Sequence, residues 1–217
     1  MTDDVKGSME QLIQSSNNIA VIPSQVGGVD AFAASLGLYL ALKDKDKDKK
    51  ISFIYPNGIL EGFEDLISND EVVINPALRN LVVEIDYSKT PAEKVNYSTQ
   101  NDILTLRISP VDSSFNLDDV RAGLEGMGYD LIFVIGAQSK EDLGIVYSAL
   151  EEEFRTAKVV NIDNTAINTK FGDINVVDTR MENLSQLVMN FIVKSGFILG
   201  QRPAKALLKG ISQRLVN

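Results

Sequence analysis

Two residue types that often carry protein chemistry are missing, for the 217 residues include no cysteine and no histidine. The first absence removes disulfides, thiolate zinc sites and cysteine nucleophiles. The second removes Ser-His-Asp triads, histidine general bases and imidazole metal ligands. Any metal would rest on oxygen ligands alone, a donor set that suits magnesium, calcium or manganese better than zinc. Long apolar runs are also lacking, since a membrane helix needs about 20 such residues. The start, Met1-Thr2-Asp3-Asp4, is acidic and unlike a signal-peptide n-region. A cytoplasmic protein without membrane contact is expected. Positive charge is scarce as well: 21 Lys and Arg against 30 Asp and Glu leave a net charge of -9. Such a surface repels phosphate backbones, so extended nucleic-acid binding is not expected, although a local basic pocket stays open.

What is present is an ordinary globular balance, 44% hydrophobic and 24% charged, long enough to bury a core. Met9, Leu12 and Ile13 suggest a short amphipathic first helix. Residues 19–23 form an apolar run of strand length. Gly27-Gly28 follows, then an Ala- and Leu-rich helical stretch from Val29 to Lys43, a solvated Lys/Asp loop from Lys43 to Lys50, and a second strand at 51–55. Strand, glycine turn, helix and strand in that order make a βαβ unit with a right-handed crossover. Residues 81–85 read as a strand, and 94–98 with 103–108 read as a β-hairpin turning at Gln100-Asn101-Asp102. That hairpin is expected to extend the sheet, with its open strand edge as a second reading. A helix is expected over Leu117 to Met127, then a fully apolar central strand at 131–135. A helix from Lys140 to Phe154 follows, capped by Ser139 with Asp142 three residues on. A strand at 159–162 and helices over 184–194 and 203–215 complete the rhythm. The expected fold is α/β and doubly wound. It has a mostly parallel sheet with helices on both faces, in a single domain over 1–217 with a hairpin insertion at about 80–110.

In open parallel sheets, ligands bind beyond the carboxyl ends of the strands. Three polar segments fall there: Ser24 to Asp30, Gly136-Ala137-Gln138, and Asp163-Asn164-Thr165. The glycines before the first helix suit close approach of a phosphate to backbone amides. Asp30 and Asp163 also have ordinary readings, as a helix-start partner and as a turn residue.

The third segment runs Val160-Asn161-Ile162-Asp163-Asn164-Thr165-Ala166-Ile167-Asn168, then Phe171-Gly172-Asp173-Ile174-Asn175. It resembles the stretch that names the DHH phosphoesterases, where an apolar strand delivers Asp-His-His, followed by Asn and a short Gly-x-x-Asn strand. Asp163 matches; Asn164 and Thr165 stand in place of the histidines. The first segment resembles the family's His-x-x-Pro-Asp-x-Asp-Ala pattern aligned on Asp30-Ala31, with Ser24 for the histidine and Gly28 for the first aspartate. Tyr129 to Gly136 resembles the family's central strand, with Gly136 in place of its metal-bridging aspartate. Leu207 to Arg214 resembles its Leu-x-x-Gly-Ile turn, with Arg214 in place of another aspartate. Glu182 to Leu187 resembles its Ser-Ser-x-x-Glu helix. The resemblance runs from about Asn17 onward, apart from the hairpin region. It implies a manganese-dependent phosphoesterase fold acting on nucleotides, short oligonucleotides, cyclic dinucleotides or polyphosphate. Many members carry a DHH-associated second domain, and this chain ends before any such segment.

A two-metal site needs several anionic or imidazole ligands, and of the matched positions only Asp30 and Asp163 offer a carboxylate. The leading expectation is therefore a catalytically inactive DHH-like domain acting as a binding or assembly module. No cofactor is expected unless the chain is active, when manganese or magnesium would serve. The expected ligand is a nucleotide or other phosphate compound near Ser24, Gly27, Gly28, Asn164 and Arg214; a protein partner or a second copy is the other expected partner. A second reading is a phosphoesterase with one metal on Asp30 and Asp163, helped by Asn164 and Asp178. A third is a nucleotide sensor cradling phosphate with Ser24, Gln25, Gly27 and Gly28.

Overall fold

A computed structural model of the chain describes residues 3–78, 80–125 and 127–213. The chain divides into two compact units, Met1–Leu78 with Met127–Asn217, and Arg79–Gly126.

The first unit holds a six-stranded sheet. Its strands are β1 (Asn18–Pro23), β2 (Lys50–Ile54), β3 (Val72–Val73), β8 (Leu131–Ile135), β9 (Lys158–Asp163) and β10 (Ile174–Val177), in the order β10-β9-β8-β1-β2-β3. Every pairing is parallel. The chain builds outward from β1 in one direction and then from β8 in the other, so the crossovers diverge between β1 and β8. That divergence places a crevice beyond the carboxyl ends of these two strands.

Alternation along the strands explains the two layers of helix. Side chains at i and i+2 share a face of a strand. Ile19 and Val21, Leu131, Phe133 and Ile135, and Val160 and Ile162 belong to one core, covered by α1 (Asp3–Ser15), α2 (Gly28–Lys45), α5 (Leu184–Lys194) and α6 (Gln201–Gln213). Ala20, Ile22, Ile132, Val134 and Val159 belong to the other, covered by α3 (Ile145–Ala149) and α4 (Glu151–Thr156). Residues 31–42 of α2 are buried without interruption, as a helix sandwiched between a sheet and two further helices must be. Phe32 anchors this packing with Phe53, Tyr55 and Phe63 at ring separations of 5.2, 5.1 and 5.1 Å. Among the described residues, no helix is long and apolar enough to cross a membrane.

The second unit consists of two antiparallel pairs. One joins β4 (Asn80–Ile85) to β7 (Val120–Glu125), and the other joins β5 (Ala92–Gln100) to β6 (Ile103–Pro110). Asn101 and Asp102 turn the β5–β6 hairpin with φ of 51° and 61°, the left-handed pair that a two-residue I′ turn requires and that Asn and Asp tolerate.

Several expectations are corrected. The hairpin does not extend the main sheet but forms a two-stranded sheet of its own. Among the described residues of 117–127, no helix longer than a single turn forms. Only 117–119 make a single 3-10 turn, capped by Asn116, and Val120–Glu125 pair with β4, because a partner strand outweighs weak local helix propensity around Gly123. The expected helix over 140–154 is broken into three pieces. Ser139 and Asp142 do form the expected capping box, but Gly144 adopts φ 53° and ends that first turn. The Lys43–Lys50 loop is shorter than expected, since α2 runs to Lys45. Gly210 lies inside α6 rather than in a turn, and residues 214–215 of the expected closing helix lie outside the described residues.

Between β2 and β3 the chain is pinned by Glu71. Its carboxylate accepts from the Ser68 amide at 3.2 Å and hydroxyl at 3.0 Å and pairs with Lys43 of α2 at 2.7 Å. Burial alone would raise the Glu71 carboxyl; the Lys43 ammonium and Ser68 outweigh that and hold it at about 2, against an ordinary 4.5. A carboxyl lowered on folding adds stability that is complete above its unfolded value and is lost as pH falls toward its folded value. Because the pair is partly open to solvent, Glu71→Gln should cost about 1 kcal/mol at neutral pH. In urea unfolding, the gap between wild type and Glu71→Gln should be full above pH 4.5 and vanish near pH 2. A gap that persists unchanged at pH 2 would contradict the assignment.

Candidate functional site

The crevice at the carboxyl ends of β1 and β8 is knitted shut by backbone. The Ser24 amide donates to the Ile135 carbonyl at 2.8 Å, and the Gln25 amide to the Asp142 carbonyl at 3.2 Å. The Gln25 side chain reaches the Leu143 carbonyl, and the Ser24 hydroxyl accepts from the Val26 amide at 3.3 Å. Ser24 is buried, so its hydroxyl belongs to the turn. Gly27 precedes α2, and Gly28 sits at φ 60° with open space around it.

Asp30 takes a role that its sequence position does not disclose. Its carboxylate accepts from the Leu184 amide at 2.7 Å, the Ser185 amide at 3.0 Å and the Ser185 hydroxyl at 2.7 Å. Those are the first amides of α5. The Asn183 side chain takes the Gln186 amide at 2.8 Å. The two side chains together satisfy three donors that a helix start leaves bare, and the negative charge meets the positive end of the helix dipole. Gly210 of α6 lies against the same spot, where an added Cβ would collide with the Ser185 hydroxyl and come within 2.8 Å of Ala33.

Gly136, where the resemblance puts a metal-bridging aspartate, has φ 76°. A Cβ there would stand 2.6 Å from Leu184 Cδ1 and 3.1 Å from Ala31 Cβ. The space an acidic side chain would need is filled by the apolar start of α5 and by α2.

Asp163, at the end of β9, is buried. Its Oδ2 accepts from the Thr165 hydroxyl and from Asn168 Nδ2, the latter at 2.8 Å. Asn168 is the hub of this corner. Its Nδ2 also donates to the Ala137 carbonyl at 2.9 Å, and its Oδ1 accepts from Asn161 Nδ2 at 2.9 Å and from the Lys170 amide at 2.7 Å. Asn161 Oδ1 is left buried without a partner. Asn164 donates to the Met181 carbonyl at 3.0 Å. Asp30, Gly136 and Asp163 thus gather at one end of the sheet, Gly136 and Asp30 both against Leu184, and Asp163 tied to Ala137 through Asn168. Each carboxylate is held by its own donors, and among the described residues no group of three Asp or Glu side chains is placed to enclose a cation. The residues present do not fit a binuclear metal centre. Arg214 lies outside the described residues.

Next to this corner, along the edge strand β10 and α5, opens a pocket of about 760 Å³. Thr165, Asn168, Lys170, Asp178, Arg180 and Lys194 give it its polar lining. Three cations face one carboxylate in a chain of net charge -9. Asp178 pairs with Arg180 at 2.8 Å, and that hydrogen-bonded pair, aided by Lys194, holds its carboxyl at about 2. Lys170 and Lys194 make no direct ion pair among the described residues. Lys170 adopts φ 55°, a left-handed turn braced by Asn168 accepting its amide. Sequence reasoning missed these three cations because no motif spaces them; the one available cue was the short strand 174–177 with Lys170 before it and Arg180 after it.

No family model and no curated protein matches the chain. Among solved structures, the crystal structure of an exopolyphosphatase-related protein from Bacteroides fragilis matches over 98% of this chain, with a TM-score of 0.65 and 14% identity. The match covers 50% of that protein, so the chain spans about half its length. The likeness is one of fold.

If Asp30 is a tertiary helix cap, Asp30→Ala strands two amides at the buried start of α5. We expect a loss of about 2–3 kcal/mol in chemical denaturation, with Asp30→Asn less severe because its amide oxygen still accepts. A stability change within error for Asp30→Ala would remove the capping role.

Proposed function

We propose that the chain is a DHH phosphoesterase-like domain without metal-dependent hydrolysis, serving as a binding module for a small phosphate-bearing ligand such as a nucleotide. The observation that carries this reading is the division of labour around α5. The carboxylates available for metal are committed to hydrogen bonds within the fold, while Lys170, Arg180 and Lys194 line an open pocket beside them.

The chemistry of such a site is recognition rather than turnover. Arg180 offers a planar fork that matches two phosphate oxygens, and its present partner, Asp178, is an anion that a phosphate displaces in kind. Lys194 and Lys170 add point charges on strands of chain that are already ordered, α5 and the Asn168-braced turn. The Thr165 hydroxyl lies at the inner wall, where it can turn from Asp163 toward a phosphate oxygen. No group here is placed to activate water. Asp163 is buried among donors, Asp178 is held far below the range of a general base, and histidine is absent.

Calorimetric titration with pyrophosphate and nucleoside diphosphates in the presence of a chelator tests the reading, together with hydrolysis assays of mono- and dinucleotides in excess manganese. We expect metal-free binding that weakens about tenfold in each of Lys170→Ala, Arg180→Ala and Lys194→Ala, the loss of one charge-assisted contact worth about 1.4 kcal/mol. Hydrolysis should stay at background. Manganese-dependent turnover abolished by Asp163→Asn would establish a working metal site and overturn the proposal, as would failure of every phosphate compound to bind.

A further inference from the structure

The described residues of the second unit enclose no interior. Among its described residues no apolar side chain is buried; Thr90 alone is. Two-stranded sheets are marginal in water unless an apolar face is covered. The β5–β6 hairpin has such a face. Its register sets Val95 opposite Ile108, Tyr97 opposite Leu106 and Thr99 opposite Leu104. Directly opposed residues of an antiparallel pair point to the same side, so Val95, Tyr97, Leu104, Leu106 and Ile108 make one continuous apolar stripe. The other side carries Lys94, Asn96, Ser98, Gln100, Thr105, Arg107 and Ser109, with Ile103 as its one apolar member. Both sides are open to solvent, the apolar stripe included: Tyr97 is 80% exposed, Val95 64%, Leu104 62% and Leu106 53%, with Ile108 half-buried. Alternation ordinarily turns only the polar side to water, so an uncovered apolar side is the feature that needs a partner.

We infer that the apolar face of the β5–β6 hairpin is a self-association surface, covered by the same face of a second copy of this chain. Charge singles out that occupant. Residues 92–110 carry two acids, Glu93 and Asp102, and two bases, Lys94 and Arg107, and so are neutral within a chain of net charge -9. Copies that approach through most of their surface repel one another. Through this stripe, which bears no charged side chain, they meet without repulsion and without burying an unpaired charge. A face whose six positions are apolar but for Thr99 is also its own complement under a two-fold axis. A strand of nine residues is about 30 Å long at roughly 3.4 Å per residue. A contact of that length and two strands in width lies below the about 800 Å² per partner of a standard interface. The dimer is therefore concentration-dependent.

The inference does not depend on the phosphate pocket, and its test uses the full chain. Sedimentation equilibrium over a range of concentrations should show a shift from 23.8 kDa toward twice that mass. Tyr97→Lys and Leu106→Lys should each weaken association at least tenfold with an unchanged far-ultraviolet circular dichroism spectrum. Since the chain has no cysteine, introduced thiols report the face without perturbing it. Thr99→Cys, on the apolar side, should be cross-linked into dimers by a short bismaleimide, and Ser98→Cys, on the polar side, should not. A wild-type chain that remains monomeric at every concentration overturns the inference, because the stripe is then covered from within the same chain or by a different protein. A dimer indifferent to Tyr97→Lys and Leu106→Lys, or cross-linked equally from both faces, overturns it as well.

Discussion

A carboxylate under a helix end organises the site half of this molecule. Asp30 enters from the first turn of α2 and closes on the first two amides and the hydroxyl of α5. A partly buried negative charge is costly unless donors surround it, and bare amides at a helix start are costly unless an acceptor meets them. Each debt cancels the other only while α2 and α5 keep one relative position. That position in turn brings Leu184 against Gly136 and Ala31, and it leaves the narrow gap that only a glycine at 210 lets α6 enter. The same contact therefore sets helix packing and fills the space where a metal-binding side chain would project. A carboxylate in this arrangement cannot be lent to a cation without loosening three helices.

The corner around Asn168 follows a similar logic with neutral groups. Histidines at 164 and 165 would present lone pairs to a metal; Asn164 and Thr165 instead turn inward, to the Met181 carbonyl and to Asp163. Asn168 then joins the loop after β8 to the strand β9 and to the turn at Lys170. The network is nearly complete, with Asn161 Oδ1 as its orphan. A network that satisfies itself has little left to offer a ligand, which is why the proposed binding falls to side chains outside it, Lys170, Arg180 and Lys194.

Much of this was legible before any coordinates, and the reasons are specific. Strands such as 131–135 are apolar on both faces, and only the middle of a covered sheet accommodates that. The run from Ala31 to Leu42 is long, rich in helix formers and free of breakers. Elements with weaker internal signals went wrong. Residues 120–125 have no strong period, so their state depends on β4, which lies far away in sequence. The helix after Ser139 has the right start but carries Gly144, and a glycine inside a helical pattern states a cost without saying whether it is met. At the site, the resemblance located Asp30 and Asp163 at one end of the sheet. It could not tell what the carboxylates touch, because Leu184 and Ser185 are 154 and 155 residues from Asp30. The pocket cations lay beyond reach for the same reason, brought together by β10 and α5 rather than by spacing.

The proposed capture of a small anion has to work against a net charge of -9. At physiological ionic strength, the field of a surface charge fades over about 8 Å. A ligand small enough to sit within the pocket feels chiefly Lys170, Arg180, Lys194 and the single opposing Asp178. The acidic surface farther away is screened from it. A long polyanion has no such shelter, because each additional phosphate lies farther from the pocket and closer to surplus carboxylates. Moderate salt therefore weakens capture of a small phosphate less than it relieves repulsion between whole molecules. In the inferred dimer, the same screening eases the approach of two copies through a neutral hairpin. Local sign and global sign thus act over different distances, and on the proposed reading the arrangement favours short anions over extended ones.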